Sequence, residues 1–279
     1  LGKKLGVDDY LIKPFDAEDL LVAVKSKLER LGSIADHHAG VVSGIKRSIL
    51  TMLNHEFRTP LTFVVAYADM LNENRQNIED MNGDELVFFL KEMSKGADRI
   101  RRLVENFILL VELETGDAAK TFEWRAGPVD NISEVVQAAY EQAFNPDAVQ
   151  HTCEMTTADD LPTIHADREY VLKVVREVLE NAIKFTDDPA KTITLNVYAE
   201  DEMVYIAVKD QGRGIPQSEI DKVCDTLYQI NREQFEDQGS GSGLAIVRSV
   251  MDLHNGTLAI ESEPDAGSTF VLGFPLQQG

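Results

Sequence analysis

A chain of 279 residues is long enough for about two domains at ~150 residues each, each able to bury a core. Its 48 acidic against 27 basic residues give a net charge of -21, which repels nucleic-acid phosphates and anionic lipid surfaces and excludes a general nucleic-acid binder. Two cysteines without pairing or metal-ligand spacing, no signal peptide and no apolar run of membrane-spanning length lead to the expectation of a cytoplasmic chain without membrane insertion.

Residues 1–31 read as a short strand at Tyr10 to Ile12, a Lys-Pro turn, and a helix capped near Asp16. A linker, 32–44, follows. Apolar residues then recur at helical spacing (Ile45, Ile49, Met52, Leu53, Phe57, Leu61, Val64), predicting a long amphipathic helix that carries His55. Pro60 lies inside it, at a cost of ~3 kcal/mol, and suggests a bend one turn after His55. A polar loop, 72–84, leads to a second long helix with Leu86, Phe89, Leu90, Met93, Ala97, Ile100, Val104, Phe107 and Val111 on one stripe, capped by Gly116. Two helices cannot hide both stripes on each other, so the 45–116 hairpin is expected to form a homodimeric four-helix bundle. From 122 to 279 helical segments (Ile132 to Phe144, Asp167 to Phe185) alternate with strands in which Ile193, Leu195 and Val197, then Val204, Ile206 and Val208, fall on every second position. The fold class is α+β: a helical hairpin followed by an α/β sandwich.

Three stretches of the second domain suit a nucleotide. In "REVLENAIKFT", Glu177, Asn181, Lys184 and Phe185 share one helical face. The Asn181 amide oxygen suits Mg²⁺, and the Lys184 ammonium suits phosphate. In "KDQGRGIP", Asp210 can accept a hydrogen bond from an exocyclic amine such as that of adenine, while Gly212 and Gly214 allow positive φ and close approach of a ligand. In "GSGSGLAIV", Gly239, Gly241 and Gly243 precede a helix beginning near Leu244, whose free N–H groups suit phosphate. Alone, the first also reads as a solvated helix face, the second as a plain turn and the third as a linker.

Together and in this order, after a histidine on a helix, they resemble the two-component sensor histidine kinases. "HEFRTPLT" resembles the phosphoacceptor box, "ENAIKFT" the N box, and "DQGRGIP" and "GSGSGLAIV" the two glycine boxes, over about residues 40 to 277. The resemblance implies that His55 attacks the γ-phosphoryl of Mg-ATP, that Glu56 takes the proton from the other ring nitrogen, and that the phosphoryl group passes to an aspartate of a partner response regulator. It also associates Thr59 with dephosphorylation of that partner. Two other readings stay open: a degenerate kinase acting as a nucleotide-dependent binding module, and an ATPase with Glu177 as general base. Cys224, Leu227 and Ser242 depart from the family pattern beside the expected lid. "DDYLIKPF", with Lys13 before Pro14, resembles the last strand and helix of a receiver domain, without the phosphoacceptor aspartate. Either a receiver precedes the kinase in a longer protein or the chain has been cut.

Overall fold

The computed structural model describes residues 56–72, 83–144, 151–226, 228 and 241–277. His55, the receiver-like segment, the linker, Leu227 and Gly239 lie outside the described residues. Helix α1, 56–72, runs without interruption through Pro60, which is buried. Helix α2, Gly83–Thr115, begins inside what the sequence suggests is loop, so Gly83 and Asp84 belong to its first turn. The two helices approach closely at Gly96. A Cβ there would stand 2.7 Å from Val64 Cγ2 and 3.1 Å from the Pro60 carbonyl oxygen, so only glycine lets the backbones meet.

The buried face of α2 is Gly96, Leu103, Asn106, Phe107, Leu110 and Val111. Phe107 and Val111 of the expected stripe are buried, Val104 is half-buried, and Leu103 and Leu110 widen the buried face. The reason is a second neighbour: Leu110 joins the core of the α/β domain, with Leu109 and Leu113 packed against it. Toward the other end of the hairpin Leu61, Phe63, Val65, Met70, Val87, Phe88 and Leu90 stay exposed.

Gly116 follows the last residue of α2 in the left-handed conformation, as expected of its C-terminal cap. At φ 77° it turns the chain, and a further helix, α3 (Asp117–Arg125), starts at the next residue. The elements that follow are β1 (Gly127–Val129), α4 (Ile132–Ala143), β2 (Thr152–Thr157), β3 (Ile164–Ala166), α5 (Arg168–Phe185), β4 (Thr192–Glu200), β5 (Met203–Lys209), α6 (Gly243–Leu253), β6 (Thr257–Glu263) and β7 (Gly267–Pro275). β1 and β3 pair by themselves, while the main sheet has the order β2-β4-β5-β7-β6. β2 pairs parallel to β4, and the other neighbours are antiparallel.

Alternate residues of the sheet turn inward: Ile193, Leu195 and Val197, Val204, Ile206 and Val208, then Phe270, Leu272 and Phe274. They pack against Val135, Val136 and Ala139 of α4, the valines and Leu179 of α5, and Ile246, Val247 and Val250 of α6. Burying a valine, leucine or isoleucine contributes ~1.5–3 kcal/mol each, so this layer holds α5 and α6 in place. The start of α5 is fixed twice over. Asp167 Oδ1 accepts the Glu169 N–H at 2.9 Å, as an N-cap, and the Arg125 guanidinium of α3 at 2.6 Å.

Candidate nucleotide site

α5 delivers Glu177, Asn181, Lys184 and Phe185 toward the start of α6 and the loop after β5. Glu177 is buried, Asn181 and Phe185 are half-buried, and Lys184 is exposed. Glu177 Oε2 lies 2.6 Å from the place a Cβ would take on Gly243, and the Asn181 side chain lies 3.9 Å from the same point. Gly243 is itself the first residue of α6 rather than the last residue before it, a small correction to the expected helix start. The first hydrogen bond of the helix runs from Ile246 N–H to the Ser242 carbonyl at 3.0 Å. The N–H groups of Gly243, Leu244 and Ala245 therefore have no acceptor within the helix. Gly241, at φ 65°, gives the chain its turn into this helix, and the departing Ser242 is buried.

The loop after β5 is clamped on both sides. A Cβ on Gly212 would stand 2.2 Å from the Phe185 carbonyl oxygen, and one on Gly214, which has φ 68°, would stand 1.9 Å from the Glu263 carbonyl oxygen. Only glycine fits at either position. The Arg213 N–H donates to that same Phe185 carbonyl at 3.3 Å. The Arg213 guanidinium lies 4.5 Å and the Lys184 ammonium 5.0 Å from the Phe185 ring centroid.

Asp210 is buried at 4% exposure. Its Oδ1 accepts the Gly212 N–H at 2.8 Å and the Ser268 N–H at 3.2 Å, and Oδ2 takes neither bond. Burial pushes its carboxyl above the usual range, against the opposing pull of those two N–H groups and Lys191. Ser262 ties the arrangement together: its hydroxyl accepts the Ile215 N–H at 2.8 Å, donates to the Gly267 carbonyl at 2.9 Å, and lies 2.9 Å from the Ser268 hydroxyl. Nothing short of the β6–β7 register places Ser262, Gly267 and Ser268 beside Asp210.

The site thus gathers Glu177, Asn181 and the start of α6 at one end, and Phe185, Asp210, Gly212 and Gly214 at the other. Thr59 is exposed on α1. No group of three or more His, Cys, Asp or Glu side chains suited to a metal ion occurs among the described residues. Mg²⁺ that keeps its waters and bridges phosphates needs only one or two protein oxygens, and the Asn181 amide oxygen fits that demand.

Residues 45–116 match the His Kinase A (phospho-acceptor) domain, and 166–278 match the histidine kinase-, DNA gyrase B-, and HSP90-like ATPase domain. The chain is 27% identical over 236 residues to sensor histidine kinase WalK of Bacillus subtilis (strain 168), covering 84% of this chain and 37% of that protein. It is 27% identical over 264 residues to sensor protein KdpD of Escherichia coli (strain K12), covering 93% of this chain and 28% of that protein. It therefore spans well under half the length of these two relatives. Its fold is similar to that of full-length ShkA in complex with AMPPNP (TM-score 0.56, 25% identity, 82% of this chain and 46% of that one). It is similar also to Acinetobacter baumannii histidine kinase AdeS (TM-score 0.53, 20% identity, 80% and 98%). No described helix is long and apolar enough to cross a membrane. The chain carries the phospho-acceptor domain and the ATPase domain in this order, the domain pair of a two-component sensor histidine kinase.

Proposed function

We propose that this chain is the catalytic core of an ATP-dependent protein histidine kinase that phosphorylates His55 and passes the phosphoryl group to an aspartate of a response regulator. The observation that carries the reading is the convergence of Asn181, the free N–H end of α6 and the buried Asp210 in one lobe, joined to the phospho-acceptor hairpin. Asp210 Oδ2 accepts the adenine amine, the Lys184 ammonium and the N–H groups of Gly243 to Ala245 hold the phosphates, and Asn181 supplies an oxygen to Mg²⁺. Mg²⁺ held there by Asn181 would supply charge neutralisation to the transferring phosphoryl group. The neutral His55 imidazole attacks the γ-phosphorus, the bond to the bridging oxygen breaks with its electron pair on ADP, and Glu56 takes the proton from the other ring nitrogen. Thr59 orients a water for the reverse task, removal of phosphate from the regulator.

The exposed Leu61, Phe63, Val65, Met70, Val87, Phe88 and Leu90 are the surface for a second copy, closing a four-helix bundle. The reading is tested by incubation with γ-labelled ATP and Mg²⁺. Acid-labile, base-stable label on the protein supports it, and free phosphate without labelled protein contradicts it.

A further inference from the structure

Lys173, Glu177 and Asn106 form a closed polar ring where α2 meets α5. Lys173 Nζ lies 2.8 Å from Glu177 Oε1 and also donates to Asn106 Oδ1. Asn106 Nδ2 donates to the same Glu177 oxygen at 3.2 Å. Asn106 and Glu177 are each 8% exposed, and one turn away Arg102 of α2 pairs with Glu180 of α5 at 3.0 Å. A buried ring of this kind adds little stability over an apolar set of the same volume. Its effect is on Glu177. One oxygen is held by an ammonium and an amide, and the other faces Gly243 at the start of α6, the end of the helix where phosphate binds.

With phosphate bound at that helix end, a carboxylate beside Gly243 would stand near a water next to the γ-phosphoryl. Free to turn, it could take that water's proton. The water oxygen would then bond to the γ-phosphorus, the bond to the bridging oxygen would break with its electron pair on ADP, and the phosphoryl group would be lost as inorganic phosphate. We propose that Lys173 and Asn106 restrain Glu177 in one orientation and so direct the phosphoryl group to His55 instead of water. This rests on the kinase reading. Asn106 and Lys173 are positioning residues: they act through Glu177 and not on the nucleotide. Since Asn106 belongs to the hairpin, the restraint operates only while α5 rests against α2.

The test uses the full chain and the variants Asn106→Leu and Lys173→Met, each also combined with Glu177→Gln. Inorganic phosphate and acid-labile label are measured in parallel with Mg-ATP, and ADP affinity without Mg²⁺ reports whether the pocket is intact. The expected result is a rise in phosphate release of at least ~10-fold in both single variants, since a positioned general base contributes ~100-fold or more. Adding Glu177→Gln should return it to the starting value. Unchanged release with ADP affinity retained, or a rise that survives Glu177→Gln, overturns the proposal. Should either single variant lose ADP binding, Asn106→Ser, which removes the amide but keeps a polar group, decides in its place by the same criteria. Absence of acid-labile label from the unmodified protein contradicts the kinase reading instead, while phosphate release, counted separately, still decides this one.

Discussion

Asp210 and Ser268 exchange hydrogen bonds across the β5–β7 edge: the Asp210 N–H donates to the Ser268 carbonyl at 2.9 Å, and the Ser268 N–H donates back to Asp210 Oδ1 at 3.2 Å. The carboxylate is therefore aimed by backbone through Oδ1, and Oδ2 takes neither bond. Asp210→Asn keeps an oxygen for the two N–H groups but turns the outward acceptor into a donor. Adenine nucleotide affinity should fall by about 10- to 100-fold, the loss of one charged hydrogen bond at ~1.5–3 kcal/mol. Stability should hold or rise. Burial raises the Asp210 pKa above 3.8, so its ionisation opposes folding, and its contribution declines as pH rises from 3.8 through the folded value. Calorimetric titration with ADP and urea unfolding check both halves.

His254 is a buried histidine with a structural task. Its Nδ1–H donates to the Val250 carbonyl at 2.7 Å, and Nε2 accepts the Asp167 N–H at 3.1 Å, among the rings of Phe122, Tyr170 and Phe274. Burial lowers its pKa below 6.5, with His165 acting in the same direction and the Val250 carbonyl and Asp167 against it. For a lowered histidine the unfolded chain binds the proton first. The stabilisation is thus complete above pH 6.5 and is lost as pH falls from 6.5 toward the folded value, by at most ~1.4 kcal/mol per pH unit. Urea unfolding from pH 8 to 5 should show the fall, and His254→Gln, less stable at pH 8, should flatten it.

At Gly96 two effects oppose each other. Alanine would add ~1 kcal/mol of helix propensity, but its Cβ would press on Val64 Cγ2 and the Pro60 carbonyl, and overpacking costs ~1–3 kcal/mol. Gly96→Ala should be net destabilising, and Val64→Ala in the same chain should recover part of the loss. A more stable single variant would mean that the helices do not approach this closely.

What was legible in the sequence follows from how local its cause is. The inward alternation of Ile193 to Val208 and the helix expected from Asp167 to Phe185 depend on near neighbours, and both stand where their spacing predicts. The four α5 site residues also follow from helical period alone. Helix α3 does not show itself because "DAAKTFEWR" is polar and Gly116 reads as a stop signal; Gly116 does end α2, and a new helix starts at the next residue. Nothing local marks Asn106, since its partners Lys173 and Glu177 lie 67 and 71 residues away. The parallel placement of β2 beside β4 is likewise non-local, and in "TCEMTT" only Cys153 and Met155 alternate toward the core, too short a pattern to announce it.

Thr59 sits exposed on α1, three residues after Glu56 and so on the same helical side. Phosphorylation of His55 needs no positioned water, whereas hydrolysis of an aspartyl phosphate does. Thr59→Ala should lower the decay of phosphorylated regulator about 10-fold or more in the presence of ADP, the low end for a lost positioning group, and leave autophosphorylation unchanged. Decay at equal rates with the variant and the unmodified protein would remove Thr59 from the reaction.

The central claim is that His55 receives the phosphoryl group from ATP held by the second domain. Its most direct test is labelling of His55→Gln with γ-labelled Mg-ATP beside the unmodified chain, with ADP affinity measured on both. The account predicts acid-labile label on the unmodified chain, none on His55→Gln, and ADP affinity within about twofold, because acceptor and nucleotide residues belong to separate domains. Acid-labile label persisting on His55→Gln would contradict it.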